Sequence, residues 1–291
     1  MPLMPITDGT LHYDEYGSGT PLFLVAGLGG VGSFWKPQVD ALSPYFRIVT
    51  HDHRGTGKSS RDLITYSVVQ MARDVLDLAD GLGIKRFHFA GHSTGAAIGQ
   101  ELAMRHPDRL LSLVLSSGWA EADPYFLRCF ETRKTLLAEL GPEAYVRAQA
   151  LFVYPPWYIT ANDAALSATE AAQIANFPPV EIVLSRIAAI TAYAPGPALA
   201  AIKTPTLVVG AADDQLTPAH ESVAMHRHIA HSDLAILPSG GHFNTMTKPN
   251  QFNATLVSWL LAQRDGVPWV RPPSQARNPE ENPPSFIAEI E

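Results

Sequence analysis

Cysteine occurs once in this chain, at Cys129, so no internal disulfide can form and no cysteine cluster can hold zinc. Charge is also scarce. Only 17% of the 291 residues are Asp, Glu, Lys or Arg, below the roughly 25% usual for soluble domains. The 21 Lys and Arg are outnumbered by 28 acids, giving a net charge of −7, and they form no basic block. Nucleic acid and an anionic membrane surface are therefore excluded as expected partners. No apolar run approaches the roughly 20 residues that span a bilayer. The opening MPLMPITDG lacks the basic and apolar regions of a signal peptide, so a cytoplasmic location is expected. What is abundant is apolar surface, at 46% hydrophobic residues, enough to bury a sizeable core and to exclude disorder of the whole chain.

Strand and helix patterns alternate. Residues 10–27 read as a hairpin, with TLHYDEY turning through GSG into the apolar PLFLVAG. RIVTHD (47–52), RFHFAG (86–91) and LLSLVLSSG (110–118) read as further strands. Between them, residues 67–82 carry Val68, Met71, Ala72, Val75, Leu76 and Ala79 at helical spacing, and residues 94–105 form the next helix. The alternation resumes with a strand at 204–210, a helix at 218–230, a strand at 233–238 and a helix at 250–263. Near-continuous apolar strands separated by helices predict an α/β fold, a mostly parallel sheet of about eight strands with helices on both faces. Residues 120–201 hold no convincing strand. They are expected to form a helical lid between two stretches of core, 1–119 and 202–265. Residues 266–291, which contain Pro268, Pro272, Pro273, Pro279, Pro283 and Pro284, read as an extended Pro-rich tail.

Gly91-His92-Ser93-Thr94-Gly95 is a G-x-S-x-G set directly after a strand and before a helix. A sharp turn there lifts the serine hydroxyl above the sheet's carboxyl edge, and the helix N-terminus favours developing negative charge. A serine nucleophile needs a base and an orienting acid on later strand ends, in the order Ser, Asp/Glu, His. Ala211-Ala212-Asp213-Asp214 follows one later strand, and Ser239-Gly240-Gly241-His242 follows the next. Spacing alone leaves both aspartates open. The loop Gly27-Leu28-Gly29-Gly30, after the first apolar strand, offers exposed backbone N–H groups. His226, His228 and His231 lack acidic or cysteine companions, so no metal is expected.

Together these features resemble the α/β-hydrolases over nearly the full chain. The resemblance covers the loop at Ala26-Gly27-Leu28, the turn Asp52-His53-Arg54-Gly55-Thr56-Gly57-Lys58-Ser59, the nucleophile elbow, the lid, and the acid and histidine loops. It implies Ser93 as nucleophile, His242 as base and Asp214, four residues before Pro218, as acid in preference to Asp213. It also implies the backbone of Leu28 and Thr94 as oxyanion donors, and no cofactor. Ala26 departs from the family's usual histidine, and Ser116 and Ser117 occupy the place where some members carry the acid. Within the family, Gly27–Gln38, Asp52–Gly57 and the lid stretches at 128–130 and 151–155 are similar to the aminoacrylate hydrolases of pyrimidine utilisation.

These features predict a serine hydrolase cleaving a small amide, carbamate or ester through an acyl-enzyme. Gly27, His92, Phe152, Tyr154 and Trp157 are the expected substrate-binding residues. A broad-specificity carboxylesterase or lactonase is the alternative. A remoter one is an NAD-dependent oxidoreductase, because residues 27–32 spell G-x-G-x-x-G with Asp52 twenty residues on, although Pro37 is expected to interrupt the following helix. The expected partner is a small-molecule substrate; the oligomeric state, a homodimer included, stays open.

Overall fold

A computed structural model describes residues 2–271. Eight strands form one sheet: β1 (Leu3–Ile6), β2 (Gly9–Tyr16), β3 (Thr20–Val25), β4 (Phe46–His51), β5 (Phe87–His92), β6 (Leu110–Ser116), β7 (Thr206–Ala211) and β8 (Ser232–Leu237), in the order β1-β2-β4-β3-β5-β6-β7-β8. From β4 onward in that order every pairing is parallel, and only β2 runs against the rest, pairing antiparallel with both β1 and β4. The fold is the expected α/β-hydrolase sheet, with one correction at its edge. Residues 10–27 are not a hairpin, because β4 inserts between β2 and β3. The hairpin is β1 with β2, turning at Asp8 in the left-handed region (φ 57°). Arg54 fastens this hairpin to the sheet by donating to the Asp8 carbonyl at 2.6 Å and to both oxygens of Asp74.

The strands are apolar on both faces because both are covered. Leu22, Leu24 and Ala26 pack on one face with Trp35, Leu42, Phe252 and Trp259, beneath α1 (Lys36–Leu42) and α9 (Pro249–Asp265). Phe23 and Val25 point the other way, into a core shared with α2 (Val68–Gly81) and α3 (Thr94–Arg105). Pro37 does not interrupt α1; it sits in the first turn, where its missing N–H would have had no helical acceptor.

Between β6 and β7 the chain makes three helices: α4 (Pro124–Val153), α5 (Pro156–Ala175) and α6 (Val180–Thr191). Asp123 caps α4 by accepting from Phe126 N–H at 2.7 Å, and the helix bends at Gly141, whose φ of 83° no helix interior accommodates. Past α7 (Ala219–His228) and the short α8 (Asn244–Thr247), α9 is the last element among the described residues. After Gly266, Trp269 donates to Ser258 at 3.0 Å. The expected extension of residues 272–291 lies outside the described residues. Among those described, no single helix is long and apolar enough to cross a membrane.

Candidate active site

Four loops at the carboxyl ends of parallel strands converge. Ser93 follows β5, between β3 and β6 near the middle of the sheet, with φ 56° and ψ −114°, a conformation that costs a non-glycine residue of order 1 kcal/mol or more. Its neighbours make the turn feasible. A Cβ on Gly91 would stand 2.1 Å from the Gly95 carbonyl, and one on Gly95 would stand 2.1 Å from the Val25 carbonyl. Both positions therefore require glycine. Ser93 N–H is held by the Ser116 carbonyl at 2.8 Å, while its side chain makes no capping bond to α3. The hydroxyl is thus left for the cavity it lines.

Asp214 and His242 meet in the loops after β7 and β8. His242 Nδ1 lies 3.0 Å from Asp214 Oδ2 and 3.2 Å from Oδ1. The carboxylate is fixed in turn. Its Oδ1 accepts from Leu216 N–H at 2.8 Å and Thr217 N–H at 2.9 Å, and Thr217 Oγ1 lies 3.0 Å from Oδ2. Asp213 has a different task, accepting from Gly241 N–H at 2.8 Å and so tying the acid loop to the histidine loop. Gly240 and Gly241 adopt φ 137° and 64°, and a Cβ on Gly241 would press on Pro155 at 2.8 Å. Phe243 N–H donates to the Val153 carbonyl at 3.0 Å, joining the histidine loop to the end of α4. Asn244 Nδ2 donates to Ser117 Oγ at 3.0 Å.

The first loop closes the arrangement. Gly27 approaches so near that a Cβ there would lie 3.2 Å from Ser93 Cβ. Thr94 opens α3, so its N–H is among the first-turn donors that no intrahelical carbonyl takes. Leu28 lines the cavity, and its carbonyl is taken by Arg186 at 3.0 Å. Arg186, fully buried on α6, also donates to the Arg54 carbonyl at 3.0 Å and to His53 Nδ1 at 3.1 Å. Asp52 is committed elsewhere. Its carboxylate accepts from Gly32 N–H and Lys58 N–H, each at 2.9 Å, bracing the loop that a dinucleotide fingerprint would have to leave open for a ribose.

The cavity measures about 230 Å3 and is lined by Gly27, Leu28, Ser93 and His242, by Phe130, Arg133, Gln149, Val153, Thr169 and Gln173 from α4 and α5, and by Tyr154 in the link between those helices. Of the expected binding residues, Gly27 and Tyr154 line it. Burial pushes the Tyr154 hydroxyl up to about 12, so it stays protonated. His92 is not at the wall. It is fully enclosed, its Nδ1 lies 3.2 Å from Ser116 Oγ, and its ring centroid is 4.9 Å from those of both Phe34 and His242. Burial, reinforced by His242, holds its pKa well below the usual imidazole range, so it packs as a neutral ring. Phe152 lies behind the wall, near Arg133. Trp157 is 45% exposed, with the Lys248 ammonium 4.5 Å from its ring. An aromatic-rich run gives no sign of which rings face inward.

Thr217, Arg133 and Arg186 were not singled out by the sequence. Thr217 carried a positional signal, three residues past the acid, whereas the arginines sit on helices where such residues are usually solvated.

Comparison with known proteins agrees with this fold. Residues 20–249 match the family model of the alpha/beta hydrolase fold. A RutD protein of Azorhizobium caulinodans, provisionally named a carbamate hydrolase, is 42% identical over 259 residues, covering 89% of this chain and 98% of its own. The RutD protein of Caulobacter vibrioides, named in the same way, is 43% identical over 255 residues, 86% of this chain and 95% of its own. Among solved structures, the enol-lactonase of Burkholderia xenovorans LB400 superposes with a TM-score of 0.82 at 28% identity, covering 89% of this chain and all of that one.

Proposed function

The chain belongs to the α/β-hydrolase fold family and is a hydrolase. From that premise we propose that it is a serine hydrolase in which Ser93, His242 and Asp214 act as nucleophile, base and orienting acid on a small amide, carbamate or ester, in the breakdown of pyrimidines or similar N-heterocycles. The observation that carries this reading is Ser93 in its left-handed turn, hydroxyl uncommitted to the helix, in one cavity with an imidazole anchored on a carboxylate. Residues 120–201 act as lid over a core of 1–119 and 202–265.

In the proposed cycle His242 Nε2 takes the Ser93 proton as the oxygen attacks the scissile carbonyl. Asp214, bonded at Nδ1, fixes the tautomer and steadies the imidazolium. The carbonyl π electrons move to oxygen, and the N–H groups of Leu28 and Thr94 donate hydrogen bonds to that oxyanion, a contribution of about 3 kcal/mol per donor. Collapse expels the amine or alcohol, protonated by His242, and leaves an acyl group on Ser93. Water, deprotonated by the same histidine, then releases the acid. The carbamate names of the RutD relatives favour a C–N substrate. The likeness to an enol-lactonase favours a lactone as the second reading.

The test is a fluorophosphonate label with peptide mapping, followed by a substrate panel. Labelling at Ser93, slow turnover of p-nitrophenyl acetate, none of the palmitate ester, and faster release of ammonia from small amides or carbamates fit the proposal. A label elsewhere, or efficient long-chain ester cleavage, overturns it.

A further inference from the structure

The cavity wall carries one permanent charge, and no counter-ion faces it among the described residues. Arg133 projects from α4, is only 4% exposed, and lines the same space as Ser93 and His242. No Asp, Glu or Lys is among the lining residues. Of the other buried arginines, Arg54 pairs with Asp74, and Arg186, whose Nε–H is likewise without an acceptor among the described residues, donates to two backbone carbonyls and to His53 and does not line the cavity. Arg133 enters no ion pair among the described residues. Its Nη2 donates to the Tyr145 hydroxyl at 2.9 Å and to Gln149 Oε1 at 3.3 Å, both neutral acceptors, while its Nε–H is enclosed with no acceptor among the described residues.

Three rings hold the guanidinium in place, with centroids 5.0 Å away for Phe130, 5.2 Å for Tyr145 and 5.9 Å for Phe152. Ring faces attract a cation but neutralise it only in part. A guanidinium removed from water without an anion is unfavourable, and its planar fork is the shape that pairs with a carboxylate through two parallel hydrogen bonds. Gln149, Gln173 and Thr169 add neutral polar groups to the wall that Arg133 shares, while Val31, Phe34, Val153, Leu216 and Met246 make the remainder apolar.

We propose that Arg133 is the anion-recognition residue of this cavity, and that the substrate is a short acid whose free carboxylate seats on the guanidinium while its scissile group lies at Ser93. The proposal deepens the hydrolase reading and rests on it for the ligand's orientation. The anion supplies the missing charge, so a charged substrate is selected over an uncharged one of equal shape.

Calorimetry on Ser93→Ala, at constant ionic strength and pH 7.5, measures binding without turnover. The probes are malonate and malonamide, its uncharged counterpart. Malonate should bind at least 10-fold more tightly. Adding Arg133→Gln should erase that preference while leaving the malonamide affinity within about twofold, and adding Arg133→Lys should keep part of it. Equal affinity for the two probes in Ser93→Ala, or equal loss of both in the Arg133→Gln protein, overturns the proposal and leaves Arg133 a packing residue. If the glutamine variant does not fold, the malonate-to-malonamide ratio with Arg133 intact, and its change on Arg133→Lys, decide. A clear malonate preference in a wild-type protein that shows neither a fluorophosphonate adduct at Ser93 nor ester turnover would keep the anion site and discard the serine-hydrolase reading.

Discussion

Asp213 and Asp214 are adjacent and chemically identical, yet the fold gives them unequal work. Asp214→Asn should lower kcat/KM by several orders of magnitude, because an amide can neither fix the imidazole tautomer nor compensate the imidazolium. Asp213→Asn should cost less than about 10-fold, since an amide oxygen can still accept from Gly241 N–H. Steady-state kinetics on the two variants checks the ranking, and the reverse order would transfer the acid to Asp213. Thr217→Val, which removes the hydroxyl lying against both members of the pair, should cost about 10- to 100-fold, the value of one hydrogen bond to a carboxylate. At this scale the sequence is legible where a residue's role is written into a local turn, as for Ser93 between its glycines. It is silent where the role depends on what a distant element brings. Arg133 looks like a solvated helical arginine until Tyr145, Gln149 and three rings enclose it.

Among the elements, the elbow offers the sharpest contrast. In Gly95→Ala the new methyl would meet the Val25 carbonyl at 2.1 Å, so α3 must draw away from β3 and carry Ser93 with it. Activity should fall at least 100-fold and stability by more than about 2 kcal/mol, the range of an overpacked core. Gly29→Ala, in the neighbouring loop, meets nothing within 4 Å and should keep a wild-type melting temperature. Thermal melts of the pair separate glycines required by space from those that are not. The helices were readable because their apolar residues recur on one face, as on α2, where Met71, Ala72, Val75, Leu78 and Ala79 are buried. The β2–β3 misreading has the opposite cause. Two strand-like runs joined by Gly-Ser-Gly look like neighbours, and nothing local reports that β4, some twenty residues onward, will pair with both.

For the molecule as a whole, four buried histidines set an acid limit. Burial lowers His51 and His88 to about 4, and His53 and His92 well below the ordinary 6.5. A folded-state pKa below the unfolded value means that the unfolded chain binds more protons once the pH drops under 6.5. Stability is therefore present above that pH and lost below it, each group contributing up to about 1.4 kcal/mol per pH unit. Asp74 and Glu221, whose carboxyls burial pushes up, act with the opposite sign nearer their own range, and they are fewer. Urea midpoints should be nearly level from pH 8 to 7 and fall steeply from 6.5 to 5. A flat profile across that interval would mean that these imidazoles are hydrated in the folded protein.

The single bond from Phe243 N–H to the Val153 carbonyl ties the residue beside the proposed base to the last turn of α4, the same helix that carries Arg133 and Gln149 into the cavity. A displacement of α4 that admitted a ligand would pull on the histidine loop and hold the proposed proton acceptor out of register until the helix returned. Entry and chemistry then share one mechanical coordinate, and friction along it should appear in the rate: kcat on a fast substrate should fall as glycerol or sucrose raises the solvent viscosity, while a slow substrate, limited by bond breaking, should be indifferent.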